Sequence, residues 1–163
     1  MKLHVLFLVV LMVFLGISCQ PDTEKEKEAI MSVLKAESDA LVAGDFESFK
    51  ALHSQNDQET RIEMGVYGYN VIKGWERVAD FVGDFMESGP HEGIENTKEN
   101  CIVHISGKSA WVTCDNVWID RSSQDEILYN NLQIAFLEKH GNAWKISFAA
   151  YYTKGDQNEM TIH

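Results

Sequence analysis

His53 and Asp57 stand four residues apart in the polar stretch after a short helical pattern, where an imidazole and a carboxylate could share a proton as an acid/base pair. The competing reading has His53 closing the helix favourably at its negative end and Asp57 serving as a loop residue. Cys101 and Cys114 flank an alternating segment, Cys101 to Ser106, then Gly107 and Lys108, then Ser109 to Asp120. A Gly-X pair between strand-like runs suits a two-residue type II′ hairpin turn. If Ser106 pairs with Ser109, counting outward brings Cys101 opposite Cys114 at a non-hydrogen-bonded pair, where backbones approach to about 4.5 Å. That spacing accepts a structural disulfide, with two packed thiols as the alternative. Aromatic and amide residues form a third set, namely Tyr67, Tyr69, Trp75, Asn116, Trp118, Tyr129, Asn131 and the pair Tyr151 and Tyr152, of which Tyr152 is assigned to a pocket. Apolar walls carrying a few amides and phenols suit a small-molecule site, although core packing is the commoner use of aromatics. The six histidines, His91, His140 and His163 among them, show neither helical pairing nor a cysteine partner. No metal centre and no cofactor are expected, and neither a phosphate-cradling glycine loop nor a nucleophile elbow occurs.

The elements that must position these residues read from periodicity. Within Glu24 to Val42 the apolar residues Ile30, Val33, Leu34 and Leu41 recur at helical spacing, and Thr23 with Glu26 has the spacing of a capping box. Ala43-Gly44-Asp45 stops that helix and caps a shorter one with Phe46, Phe49 and Leu52 on its buried face. From Thr60 the period falls to two, giving a small hairpin up to Ile72. Gly74 opens a third helix, with Trp75, Val78, Val82, Phe85 and Met86 along one face, and Ser88-Gly89-Pro90 ends it. Residues 91–98 read as a polar loop, followed by the two cysteine-bearing strands and then by strands over 127–138 and 144–153. In the cysteine hairpin the face bearing Val103, Ile105, Ala110, Val112, Asn116 and Trp118 is the more apolar and is placed inward. The face bearing His104, Trp111, Asp115 and Val117 is placed outward.

The chain begins with Lys2, an unbroken apolar run from Val5 to Ile17, then Ser18 and Cys19. A charged start, a short apolar core and a small residue before the cut are what a signal peptidase reads, and the run is shorter than the ~20 residues that span a bilayer. Leu15-Gly16-Ile17-Ser18-Cys19 resembles the lipobox of bacterial lipoproteins, which implies acylation of Cys19 and attachment to a membrane of the bacterial cell envelope. The organisation expected is a signal peptide over 1–18, a short tether over 19–23, one domain over 24–154 and a polar tail over 155–163. The formal net charge of −11, one unit more negative once Lys2 is removed with the leader, argues against nucleic-acid partners and against electrostatic binding to anionic headgroups.

The element order, together with Gly44-Asp45 after the first helix, Lys73-Gly74-Trp75-Glu76 opening the third and Gly141-x-x-Trp144-Lys145-Ile146 entering the last strand, resembles the NTF2-like superfamily and its SnoaL-like branch. The resemblance implies an α+β fold, an NTF2-like cone in which three N-terminal helices pack in a curved antiparallel β-sheet. It also implies a pocket at the open end and a homodimer through the sheet's outer face. Enzymes of that superfamily use an Asp or His in the cone, and many SnoaL-like relatives carry a histidine six residues after the last-strand Trp, where this chain has Ala150. Three functions follow as expectations: a small-molecule binding or accessory module, an isomerase, hydratase or cyclase using His53 or Asp57, and an interaction module using the outer face.

Overall fold

The computed structural model describes residues 23–153; the leader, the lipidation candidate Cys19 and the C-terminal tail lie outside the described residues. Helix α1 spans Thr23–Ala43. Its buried face carries Ile30, Leu34 and Leu41 as the periodicity requires, and Glu37 and Ser38 occupy the same stripe. Glu26 does not close a capping box. Its carboxylate instead reaches across to Lys139 Nζ at 2.5 Å and Trp144 Nε1 at 2.7 Å, tying the start of α1 to the sheet. Gly44, at φ +67°, makes the left-handed turn out of α1. Asp45 then caps α2, Phe46–Ala51, by accepting from Ser48 N at 3.0 Å.

Strands β1 (Thr60–Gly65) and β2 (Gly68–Lys73) form the small hairpin, and α3 runs Trp75–Met86. Four long strands follow: β3 Ile94–Ser106, β4 Ser109–Asp120, β5 Glu126–His140 and β6 Ala143–Thr153. The stretch 91–98 is therefore mostly strand, because its polar residues pair with β4 up to Ile94↔Asp120. The six strands make one sheet in the order β2-β1-β6-β5-β4-β3. All neighbours are antiparallel except β1 and β6. One apolar cluster packs Ile30 and Leu34 of α1 on Val112, Ala135, Leu137, Trp144 and Ile146, and a second gathers Leu41, Phe49, Ile72, Val78, Val82 and Met86 among the helices and β2.

Bulges bend this sheet and change which residues face inward. In β6, Phe136 pairs with Phe148 but Leu137 pairs with Ile146, so Ser147 is left over. Before it the even residues Trp144 and Ile146 are buried; after it the odd residues Ala149 and Tyr151 face inward and Tyr152 is exposed. In β3 the pairing predicted from the turn holds from Ser106↔Ser109 to Ile102↔Thr113 and then slips, so that Asn100 and Cys101 together face Cys114. Cys101 and Cys114 are joined by a disulfide with Cα atoms 4.3 Å apart. Beyond the slip Lys98, rather than Glu99, lies opposite Asn116.

Candidate functional site

A cavity of about 560 Å³ opens between α1, α3 and the concave side of the sheet. Its walls are mainly apolar: Leu41 of α1, Phe81, Val82 and Phe85 of α3, Ile94 of β3, Trp118 of β4, and Leu128 and Tyr129 of β5. Polar groups enter from Ser38, Arg61, Glu63, His91, Asn116, Asn131, Tyr151 and Thr153. An apolar enclosure with a few placed polar groups is the usual composition of a small-molecule site.

Beneath it lies a cluster of buried charge. Glu37 is 0% exposed, accepts from Tyr151 Oη at 2.9 Å and Gln133 Nε2 at 3.3 Å, and stands 3.8 Å from Arg61 Nη1 and 3.7 Å from His53 Nε2. Burial works to raise its pKa, but His53, followed by the Arg61 and Lys98 charges, more than reverses that and holds the carboxyl at about 2. Burial likewise opposes the charge on His53 and is outweighed by Glu37 and Glu59, so its pKa is raised. Its Nδ1 lies 2.5 Å from Glu59 Oε1, and Glu59 Oε2 accepts from Ser54 Oγ and Gln55 N. Arg61 Nε donates to Glu63 Oε1 at 2.6 Å, and the guanidinium lies 4.4 Å from the Tyr151 ring centroid. Burial, then Glu37, pushes the Tyr151 hydroxyl well above its ordinary value, keeping it a donor. Burial draws Lys98 down to about 8, only partly offset by Glu37.

Of the residues assigned to a pocket from sequence, Asn116, Trp118, Tyr129 and Asn131 line the cavity. Tyr67 and Tyr69 do not: they are 97% and 77% exposed, because they sit at the turn end of the β1–β2 hairpin on the edge of the sheet. Trp75 packs against Phe46, Phe49 and His53 in the helical cluster. Tyr152 is turned outward by the Ser147 bulge, and Tyr151 takes the inward place. The pairing of His53 with Asp57 is also corrected. Asp57 is exposed, whereas His53 is buried against Glu59 and Glu37, because the loop after α2 folds Glu59 back beneath it. On the outer face Trp111 is exposed beside His104, but Val117 is buried. Reading apolar residues alone missed Glu37, Arg61 and Lys98. The available signal was Glu37's place in the 30, 34, 37, 41 series of α1, a core position filled by an acid. Among the described residues no group of three or more His, Cys, Asp or Glu is arranged to hold a metal ion.

A family model described as a SnoaL-like domain matches residues 30–150. Among solved structures, a putative dehydratase of the NTF2-like family from Streptomyces avermitilis is 16% identical, with a TM-score of 0.68 over 82% of this chain and 99% of its own. An NTF2-like protein with a cystatin-like fold from Novosphingobium aromaticivorans is 16% identical, with a TM-score of 0.64 over 88% of this chain and 96% of its own. The association domain of CaMKII from C. elegans is 21% identical, with a TM-score of 0.63 over 78% of this chain and 95% of its own. At these identities the likeness establishes the fold. No curated protein sequence matches significantly.

The buried cluster gives stability a two-sided pH dependence. Ionised Glu37 contributes fully above its ordinary value of 4.5, and the contribution is lost as pH falls towards about 2. Protonated His53 contributes fully below its ordinary value of 6.5 and is lost as pH rises through its raised value. Lys98 acts in the opposite direction above pH 8. Urea unfolding followed across pH should therefore show greatest resistance between the first two limits. Glu37→Gln should cost about 3 kcal/mol near pH 6, by leaving cations uncompensated, and should make the acid limb shallower. An acid limb of unchanged slope in that variant would contradict the assignment.

Proposed function

The chain belongs to the SnoaL-like family, and from that premise we propose that its domain is a small-molecule binding module held at the bacterial cell envelope by a lipid on Cys19. The observation that carries the binding reading is the cavity itself, an apolar enclosure of about 560 Å³ with amide, guanidinium and hydroxyl groups along one side. Binding is favoured over catalysis by His53 and Asp57 because neither residue lines the cavity. Glu37 and His53 are sealed beneath the cavity with one another, and Asp57 is on the surface. Ala150 stands where many SnoaL-like relatives have a histidine. The anchoring reading rests on the Lys2 start, the apolar run and Ser18-Cys19.

A homodimer is supported by the outer face of the sheet. His104, Trp111, Phe136 and Phe148 form one row across β3 to β6, with Trp111 42% exposed and Ile102 and Phe136 exposed near it. Contiguous apolar surface of this kind marks interaction sites.

Three outcomes are expected. Leu128→Trp, which fills the mouth, should abolish saturable binding of a hydrocarbon probe such as butylbenzene, read by NMR, while leaving the thermal midpoint within a few degrees; unaltered binding would refute the cavity as the site. Cys19→Ser should move the protein from the membrane pellet to the soluble fraction, and retention in the pellet would refute the anchor. Trp111→Glu should convert a dimer to a monomer in analytical ultracentrifugation with unchanged circular dichroism, whereas a wild-type protein that is monomeric at micromolar concentration would exclude the dimer.

A further inference from the structure

Lys98 of β3, Asn116 of β4, Asn131 of β5 and Thr153 of β6 lie in one row across the sheet. An ammonium can only donate, so the atom that Lys98 Nζ meets at 2.6 Å must be the amide oxygen of Asn116. Asn96 Nδ2 donates to the same oxygen at 2.8 Å and to the Val117 carbonyl at 3.2 Å, a contact that fixes its own amide as well. With its oxygen so committed, Asn116 turns Nδ2 to Asn131 Oδ1 at 2.7 Å. Asn116 is 1% exposed, so its amide is held by these protein partners. The amide of Asn131 is left with Nδ2, which has no hydrogen-bond partner among the described residues, on the wall of the cavity. Every bond in the row thus points the same way, from a cation towards the cavity.

Arg61, on the β1 side, also lines the cavity, with its Nε committed to Glu63 and its buried Nη1, 3.8 Å from Glu37 Oε1, holding no hydrogen bond among the described residues. Glu63 on the wall and Glu37 below it oppose an anionic occupant. A donor on an occupant that faces Asn131 would meet its N–H and leave both unpaired, which costs more than the bond it replaces.

We propose that Lys98 and Asn96 set the direction of this amide row, so that Asn131 presents a donor to the cavity and the occupant is a neutral molecule whose polar end is an acceptor, such as a ketone oxygen. The proposal rests on the cavity being a binding site. Lys98, Asn96 and Asn116 are positioning residues; Asn131 touches the occupant.

The test uses three probes with a common phenylalkyl body: butylbenzene, 4-phenyl-2-butanone and 3-phenylpropylamine, titrated into the purified protein at pH 6.5. The ketone should bind about tenfold more tightly than the amine. Asn116→Asp accepts from Lys98 and Asn96 as before but can no longer donate, so the unchanged Asn131 must rotate to donate to it and offer its oxygen to the cavity. The ranking of ketone and amine should then invert, with butylbenzene binding unaltered. In the wild type, the side-chain NH₂ resonances of Asn131 should shift with ketone and not with butylbenzene, a reading that needs no variant. A wild type that prefers the amine, an Asn116→Asp protein with the wild-type ranking, or Asn131 resonances indifferent to ketone would overturn the proposal while leaving the cavity intact. Failure of all three probes, butylbenzene included, would overturn the cavity reading and the proposal together.

Discussion

The structure depends on the burial of one carboxylate. Glu37 is placed on the inner face of α1 by the same helical repeat that buries Ile30, Leu34 and Leu41, so it cannot reach water without unpacking the helix. A charge sealed in this way is tolerable only when paired and hydrogen-bonded. That requirement recruits His53 from the loop after α2, Arg61 from β1, Gln133 from β5 and Tyr151 from β6. The first of these fixes a second acid, Glu59, which in turn orders the loop between α2 and β1 through Ser54 and Gln55. One residue of α1 thereby registers the helical layer against three strands, a role that non-directional apolar contact cannot fill alone.

The fold was legible because it is written in periodicity. The helices, the small hairpin and the long strands follow from spacing and from glycines at turns, and only the polar start of β3 departed from that reading, since strand pairing there is decided by β4 rather than by its own composition. The site was legible in part. Asn116 and Trp118 share the inner face with a visibly apolar hairpin, and Tyr129 and Asn131 lie opposite them. Tyr152 and Asp57 misled for physical reasons: a bulge changes the parity of a strand without changing its composition, and a buried histidine selects its acid by the path of a loop, not by sequence distance. Glu37 looks like an ordinary surface residue until the helical stripe it interrupts is counted, and Arg61 lies on the polar parity of β1, where alternation gives no sign of its burial.

The β3 bulge has a chemical as well as a geometric effect. Without it, unbroken alternation from Ile102 would turn Glu99 towards Asn116 and put a carboxylate where an ammonium now stands. The slip at Asn100, a residue with φ +49°, selects the sign of the charge at the foot of the amide row. The adjacent disulfide ties the bulged segment to β4.

The grip of Glu26 on Lys139 and Trp144 gives the domain a direction. It holds the first turn of α1 beside the β5–β6 turn, while the far end of the same helix, at Ser38 and Leu41, reaches the cavity. Twenty-one residues of helix separate the two ends, about 30 Å. The first described turn of the domain and the cavity wall formed by Ser38 and Leu41 therefore lie towards opposite ends of one helix.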